Sequence, residues 1–339
     1  MTSYLESINC ALHELCADDP LLYVLGEDIL DPYGGAFKVT RGLSERFPGR
    51  VLTTPISEAG IVGIAGGMAL RGLHPIVEIM FGDFTALVAD QLINYVSKYR
   101  GMYGPGVSMS LVVRTPMGGG RGYGPTHSQS LEKHFLGVPH LKVVAPSRLH
   151  VPGQLLKTSI AGKEPVLFIE HKLLYPTSLL NPDDLPAGLH LESGGDRAFP
   201  VALLRNYDSG DPDVCLITYG GTTRRLDGLL LALAEEEISI LAVVPSLLNR
   251  LDRQLLADAA APARAGTLIW EEGTQGFDWG AEVAATIQGL RGSLGPVWRV
   301  ASAPSVIPAA RHLEEQVIPG TEQIERAVID LVSQAVARA

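Results

Sequence analysis

The chain is poor in several features that announce a function directly. Its 339 residues include three cysteines, Cys10, Cys16 and Cys215. They have no zinc spacing and cannot make an even disulfide set, so they read as buried structural thiols in a reducing compartment. No block of Lys and Arg interrupts a formal net charge of -10, which excludes a nucleic-acid or anionic-membrane surface. No apolar run reaches the ~20 residues of a membrane span. The opening "MTSYLESINCALHELCADDP" carries Glu6, Glu14 and Asp18 inside its apolar pattern, which marks an amphipathic helix rather than a targeting segment. A cytoplasmic protein is the expectation. HExxH, CxxC and GxSxG are missing, so neither a self-contained metal site nor a hydrolase elbow is indicated, and no metal ligands are assigned. "GIVGIAGG" (60–67) lacks dinucleotide-binding spacing, and its glycines suit close helix packing.

What is present is alternation. Short apolar strands are expected at 21–28, 50–58, 74–80, 107–116, 141–147 and 165–171, with helices between them. "FTALVADQLINYVSKYRGM" (84–102) reads as one amphipathic helix. A stretch from 176 to 212, punctuated by Pro, Gly and Asp, reads as a long connection with room for one or two short strands. A second series follows: strands at 214–221, 239–246, 266–273 and 295–303, a helix over 223–237 and a final helix at the C-terminus. The fold class is α/β, with parallel sheets covered on both faces. The domains are 1–178, a linker over 179–205, and 206–339.

Two stretches could carry chemistry. "GGGRGYGPTHSQS" (118–130) follows a strand and matches no nucleotide motif; it is either a plain surface loop or a ligand loop at a strand's carboxyl end, with His127 as acid, base or substrate ligand. "PISEAG" begins a helix. Ser57 is placed to cap it, and Glu58 in the first turn suits the helix dipole.

Taken together these segments carry a resemblance. "TTPISEAGIVGIAGG", "GDFTALVADQ", "VVRTPMGGGRGYGPTHSQS", "PVLFIEHKLLY", "WEEGTQGFDWGAEVAATI" and "SAPSVIPAARHLEEQVIP" occur in the order found in the β subunits of thiamine-diphosphate-dependent 2-oxo acid dehydrogenases, over about residues 5–335. The resemblance implies a pyrimidine-binding domain with a parallel sheet followed by a transketolase C-terminal-like α/β domain. It implies that Glu58 hydrogen-bonds the cofactor's aminopyrimidine ring and activates it for decarboxylation of a 2-oxo acid. An apolar pocket would raise the pKa of such a carboxyl. Ile56 and Phe84 match cofactor-contacting positions, and a core Phe is the plain alternative for Phe84. His127 matches a histidine that orients substrate or moves a proton. Glu27 and Asp90 match acidic positions near a subunit interface, either as buried proton relays between active sites or as helix-turn and ion-pair residues.

The diphosphate and its Mg²⁺ bind a GDG-containing α subunit in this family. The chain has no GDG, so an obligate α-like partner and an α2β2 heterotetramer are expected, with Mg²⁺ held by that partner. A lipoyl acyltransferase is a further partner of the family. Departures stand at Gly162, Lys163 and Glu164, where the family often has Asp and Asn near a potassium ion. Either the ion site is lost or Lys163 supplies its charge. Ser246 and Asn249 replace usual arginines, with consequences expected at the subunit interface or acyltransferase dock. The string "GPTH" also occurs in transketolases, so a two-subunit carboligase is the second reading. A non-catalytic scaffold is the third, and the joint presence of Glu58, Phe84 and His127 speaks against it.

Overall fold

The computed structural model describes residues 2–291 and 295–338. Its first half holds a six-stranded sheet built from β1 (Leu22–Gly26), β2 (Val51–Thr53), β3 (His74–Glu78), β4 (Val112–Met117), β5 (Lys142–Val144) and β6 (Val166–His171), in the order β2-β1-β3-β4-β6-β5. Every neighbouring pair is parallel. The apolar runs behave as strands buried on both faces. Val24, Ile76, Val112 and Phe168 face α1 (Tyr4–Asp18) and α5 (Pro152–Ala161). Leu25, Val77, Val113 and Leu167 face α3 (Glu58–Leu70) on the other side. Helix α1 begins with a complete capping box, Ser3 with Glu6. A short α2 (Leu43–Arg46) lies between β1 and β2.

Residues 84–102 are not one α-helix. A 3-10 stretch (Gly82–Val88) leads into a π-helical turn (Gln91–Val96), and only then into α4 (Ser97–Tyr103). The cause is the spacing of the buried residues. Val88, Leu92 and Val96 are fully buried at a strict repeat of four, longer than the 3.6 residues of an α-helical turn. A wide π turn keeps all three on the α3 side. Gly66 of α3 sits where a Cβ would strike Tyr95 and Val96, so this glycine permits the close approach.

The second sheet runs β12-β11-β9-β10-β8-β7, from β7 (His190–Gly194), β8 (Val201–Arg205), β9 (Val214–Thr218), β10 (Ile240–Pro245), β11 (Gly266–Thr274) and β12 (Val297–Ser302). The strands found within the Pro- and Gly-rich connection, β7 and β8, thus extend this sheet, with β8 antiparallel to both β7 and β10. Around it lie α6 (Leu226–Glu235), α7 (Arg253–Ala260), α8 (Trp279–Arg291), α9 (Arg311–Val317) and α10 (Thr321–Val336). One apolar core passes from the α3 face of the first sheet into Cys215, Ile217, Val243 and Trp279 of the second, so the halves share an interior. All three thiols are free. Cys16 and Cys215 are buried, whereas Cys10 is exposed, which corrects the expectation for that residue. No helix among the described residues is long and apolar enough to cross a membrane.

Candidate active site

The first sheet has the order 2-1-3-4 over its first four strands, and its winding reverses between β1 and β3. In such sheets the crevice outside the carboxyl ends of the strands at the reversal is where ligands bind. The predicted residues follow those ends in turn: Ile56 and Glu58 after β2, Glu27 after β1, Phe84 after β3 and His127 after β4. Neighbouring strands lie ~4.8 Å apart, so these positions form one rim.

Glu58 is the first residue of α3 and is buried. Among the described residues no hydrogen bond reaches its carboxylate. Ser57 occupies the capping position without a side-chain cap bond, so simple capping does not account for the pair. Glu58 lies close enough to another acid, Glu27, for its charge to act on it. Burial raises the Glu27 pKa, and the Glu58 charge pushes it further in the same direction. Glu27 is itself buried, and its Oε1 has no hydrogen-bond partner. Ile56 stands beside this acid pair with 85% of its surface exposed. Asp90, in contrast, is exposed in the chain and accepts from Asn94 Nδ2 at 2.8 Å.

Phe84 and His127 meet. Their rings lie 5.4 Å apart, edge to face, and both pack on Phe81, His127 at 4.6 Å and Phe84 at 6.0 Å. Such geometry satisfies the ring quadrupoles. His127 Nδ1 lies 3.0 Å from Thr126 Oγ1. Lys172 Nζ donates to the His127 carbonyl at 2.7 Å. That lysine is fully buried, and burial lowers its pKa to about 8.

Sequence reasoning missed the frame beneath the rim. Arg114 of β4 donates to both oxygens of Glu170 at 2.6 Å and also pairs with Glu78. Tyr175 donates to the same Glu170 at 2.6 Å. The signal was a charged residue inside each of three apolar strands, which requires partners when buried. It also missed carboxylates that arrive from the second half of the chain. Glu272 Oε1 accepts from Gly119 N at 2.6 Å and its Oε2 meets His171 Nε2 at 2.8 Å. Glu314 accepts from Gly120 N and Gly122 N.

At the positions that depart from the family pattern, Lys163 is exposed. The charge at Glu164 is met by Arg250, bidentate at 2.9 Å for each bond, and by Lys142 at 3.4 Å. The Arg250 hydrogen bonds chiefly hold the Glu164 pKa down, to about 2. Gly162 O and Lys163 O accept from Ser110 Oγ and Met109 N. Asn249 faces the interior of the chain. It accepts from Val143 N at 3.0 Å and donates to Leu141 O at 2.7 Å, and Ser246 O accepts from Ala145 N, so this segment pairs with edge strand β5.

Comparisons with known proteins agree with this architecture. Residues 1–178 match the transketolase pyrimidine-binding domain and 205–324 the transketolase C-terminal domain. The chain is 34% identical over 331 residues to the mitochondrial pyruvate dehydrogenase E1 component subunit beta-1 of Arabidopsis thaliana, covering 95% of this chain and 87% of the relative. It is 33% identical over 334 residues to the 2-oxoisovalerate dehydrogenase subunit beta of Bacillus subtilis, covering 97% and 98%. It is 31% identical over 333 residues to the acetoin:2,6-dichlorophenolindophenol oxidoreductase subunit beta of Cupriavidus necator, covering 95% and 94%. A solved structure of a split-gene transketolase, an inactive beta4 tetramer, superposes with a TM-score of 0.72 at 19% identity over 99% of both chains, a likeness of fold. The chain belongs to the family of thiamine-diphosphate-dependent 2-oxo acid dehydrogenase E1 β subunits.

Proposed function

We propose that this chain supplies the pyrimidine-binding half of a thiamine diphosphate site in a two-chain enzyme that decarboxylates a 2-oxo acid and passes the acyl group to an acceptor. The carrying observation is the acid pair at the reversal point of the first sheet. Glu58 is buried without a hydrogen bond among the described residues, beside Glu27 with an orphaned Oε1. A buried carboxylate oxygen without a partner, here Glu27 Oε1, is costly, and with the Glu58 carboxylate uncommitted this pair suits a ligand that brings donors. An aminopyrimidine ring fits, since it offers nitrogen donors to carboxylates and flat faces to apolar side chains.

Glu58 would hydrogen-bond the ring nitrogen, with the proton of that bond held between the carboxyl and the ring. Ile56 and Phe84 would contact the ring. Burial and the Glu58 charge shift Glu27 toward its neutral carboxyl, the direction a proton relay at this pair needs. Asp90, exposed on this chain, would complete a relay only against a second subunit. When bound, the cofactor supplies an electron sink for decarboxylation. His127 would orient the substrate or move a proton for the acyl acceptor, with its ring pinned by Phe81 and its backbone by Lys172.

The diphosphate and Mg²⁺ belong to an α-like partner in this reading, in an α2β2 assembly. No group of three or more His, Cys, Asp and Glu suited to a metal occurs among the described residues. A lipoyl acyltransferase is the acceptor of the dehydrogenase reading. The free thiols fit a reducing compartment, for which the cytoplasm is our assignment, although the Arabidopsis relative is mitochondrial. The test is reconstitution with a GDG-bearing α subunit, thiamine diphosphate and Mg²⁺. CO₂ release from a 2-oxo acid with acyl transfer to a lipoyl acceptor supports the proposal. C–C bond formation with an aldehyde acceptor and no lipoyl transfer would favour the carboligase. No turnover of any 2-oxo acid would remove both.

A further inference from the structure

Glu314 has an unusual environment for a carboxylate. It lies in the first turn of α9 and is 1% exposed. Among the described residues it forms no ion pair. Its two oxygens accept instead from two backbone amides of the glycine-rich loop, Gly120 N at 2.9 Å and Gly122 N at 3.0 Å. The loop is shaped for this. Gly118, Gly120, Gly122 and Gly124 all have positive φ, between 70° and 88°, and alternate with other conformations. Loop amides that turn toward one point make a concave site for an anion. A Cβ at Gly122 would come within 3.0 Å of Ala309 O, so the loop also lies against the segment before α9.

The arrangement is reciprocal. A buried carboxylate with no contact ion pair leans on the amides that face it, with the Lys172 charge acting on it from a distance. The Gly120 and Gly122 amides, both at left-handed backbone positions, converge on that carboxylate. This loop leads directly to His127, whose backbone carbonyl accepts from Lys172, the residue just after β6. Gln129, just beyond, donates to Asp83 at 2.7 Å. The loop is thus fixed to the first sheet at one end and to the second domain at the other.

We propose that Glu314 is a positioning residue. It holds loop 118–124 in the conformation that presents His127 on the rim, and so makes the second domain a determinant of the acyl-acceptor step. The proposal rests on the reading of His127 given above.

The test uses the chain assembled with its α partner, as wild type, Glu314→Gln, Glu314→Ala, His127→Ala and, as a neighbouring exposed control, Glu315→Gln. The first readout is amide hydrogen exchange in the peptide spanning 118–124. Two charge-assisted hydrogen bonds bias a loop about 100-fold or more, and part of that survives relaxation, so exchange should accelerate by at least about 10-fold in both Glu314 variants. Peptides of β4 and the Glu315→Gln protein should be unchanged. The second readout is kcat and KM for the acyl acceptor, which should move in the direction set by His127→Ala. Unchanged exchange in 118–124 overturns the proposal. Exchange raised throughout the chain, with a lowered thermal midpoint, also overturns it, because Glu314 would then be a general structural residue. Selective loop exchange with acceptor kinetics unaltered overturns it if His127→Ala is impaired. If His127→Ala is itself unimpaired, the reading of His127 is what fails.

Discussion

Glu271 of β11 should set a falling limb in the stability of this protein as pH rises. It is 2% exposed, accepts from Gly280 N at 2.8 Å, and lies beside two other acids. A Cβ at Gly273 would meet Glu271 Oε2 at 3.2 Å and Glu132 Oε1 at 3.4 Å, which puts the two carboxyls side by side. Asp278 is close as well, but Arg299 is committed to Asp278 at 2.7 Å. Burial, and then the Asp278 charge, push the Glu271 pKa up to about 8. In the unfolded chain a glutamate titrates near ~4.3. The folded state therefore keeps the proton over a window in which the unfolded state loses it. The contribution is fully present below the unfolded pKa and is lost as pH rises through the folded one, at ~1.4 kcal/mol per pH unit. Across the whole window the loss is ~3–5 kcal/mol. Glu271→Gln keeps a neutral acceptor for Gly280 and removes the titration. Urea unfolding followed by tryptophan fluorescence should give closely matched stabilities at acid pH and a growing advantage for the variant toward mildly alkaline pH. Parallel pH profiles for the two proteins would refute the assignment.

Other outcomes are equally definite. Arg114→Met should remove ~3–5 kcal/mol from urea-unfolding stability, because it strands Glu78 and Glu170 in the interior. A change under ~1 kcal/mol would show that the triad does not behave as a buried charge network. At Glu164 the depressed pKa gives the opposite sign: stability is present above the unfolded pKa and lost as pH falls toward about 2. Arg250→Ala should cost about 1 kcal/mol near neutrality, a discounted figure because Arg250 is 41% exposed at the side chain. With Arg250 and Lys142 meeting Glu164, the thermal midpoint should be the same in equal concentrations of KCl and NaCl. A specific rise in KCl would contradict that arrangement.

Much of the fold was legible because parallel strands buried on both faces read as short apolar runs between helical periods. The break in residues 84–102 was not, because the strict four-residue spacing of Val88, Leu92 and Val96 resembles an ordinary amphipathic stripe until α3 is set against it. Strands β7 and β8 hid among Pro, Gly and Asp because their partners lie in another segment. The rim residues were legible only as a set. Glu58 alone looked like a helix-start acid, and its burial beside Glu27 depends on β1 lying next to β2. Glu314 and Glu272 were not legible at all, since their partners are glycine amides about 150 or more residues away, and a backbone amide leaves no mark on the sequence.

The central claim is that Glu58 activates thiamine diphosphate. The direct measurement is CO₂ release from a 2-oxo acid by the chain assembled with its α partner, wild type against Glu58→Ala, with cofactor and Mg²⁺ saturating. Loss of a positioned proton-handling group should lower kcat by about 100-fold or more while the assembly still forms. A Glu58→Ala enzyme that decarboxylates within a few-fold of wild type would contradict the account.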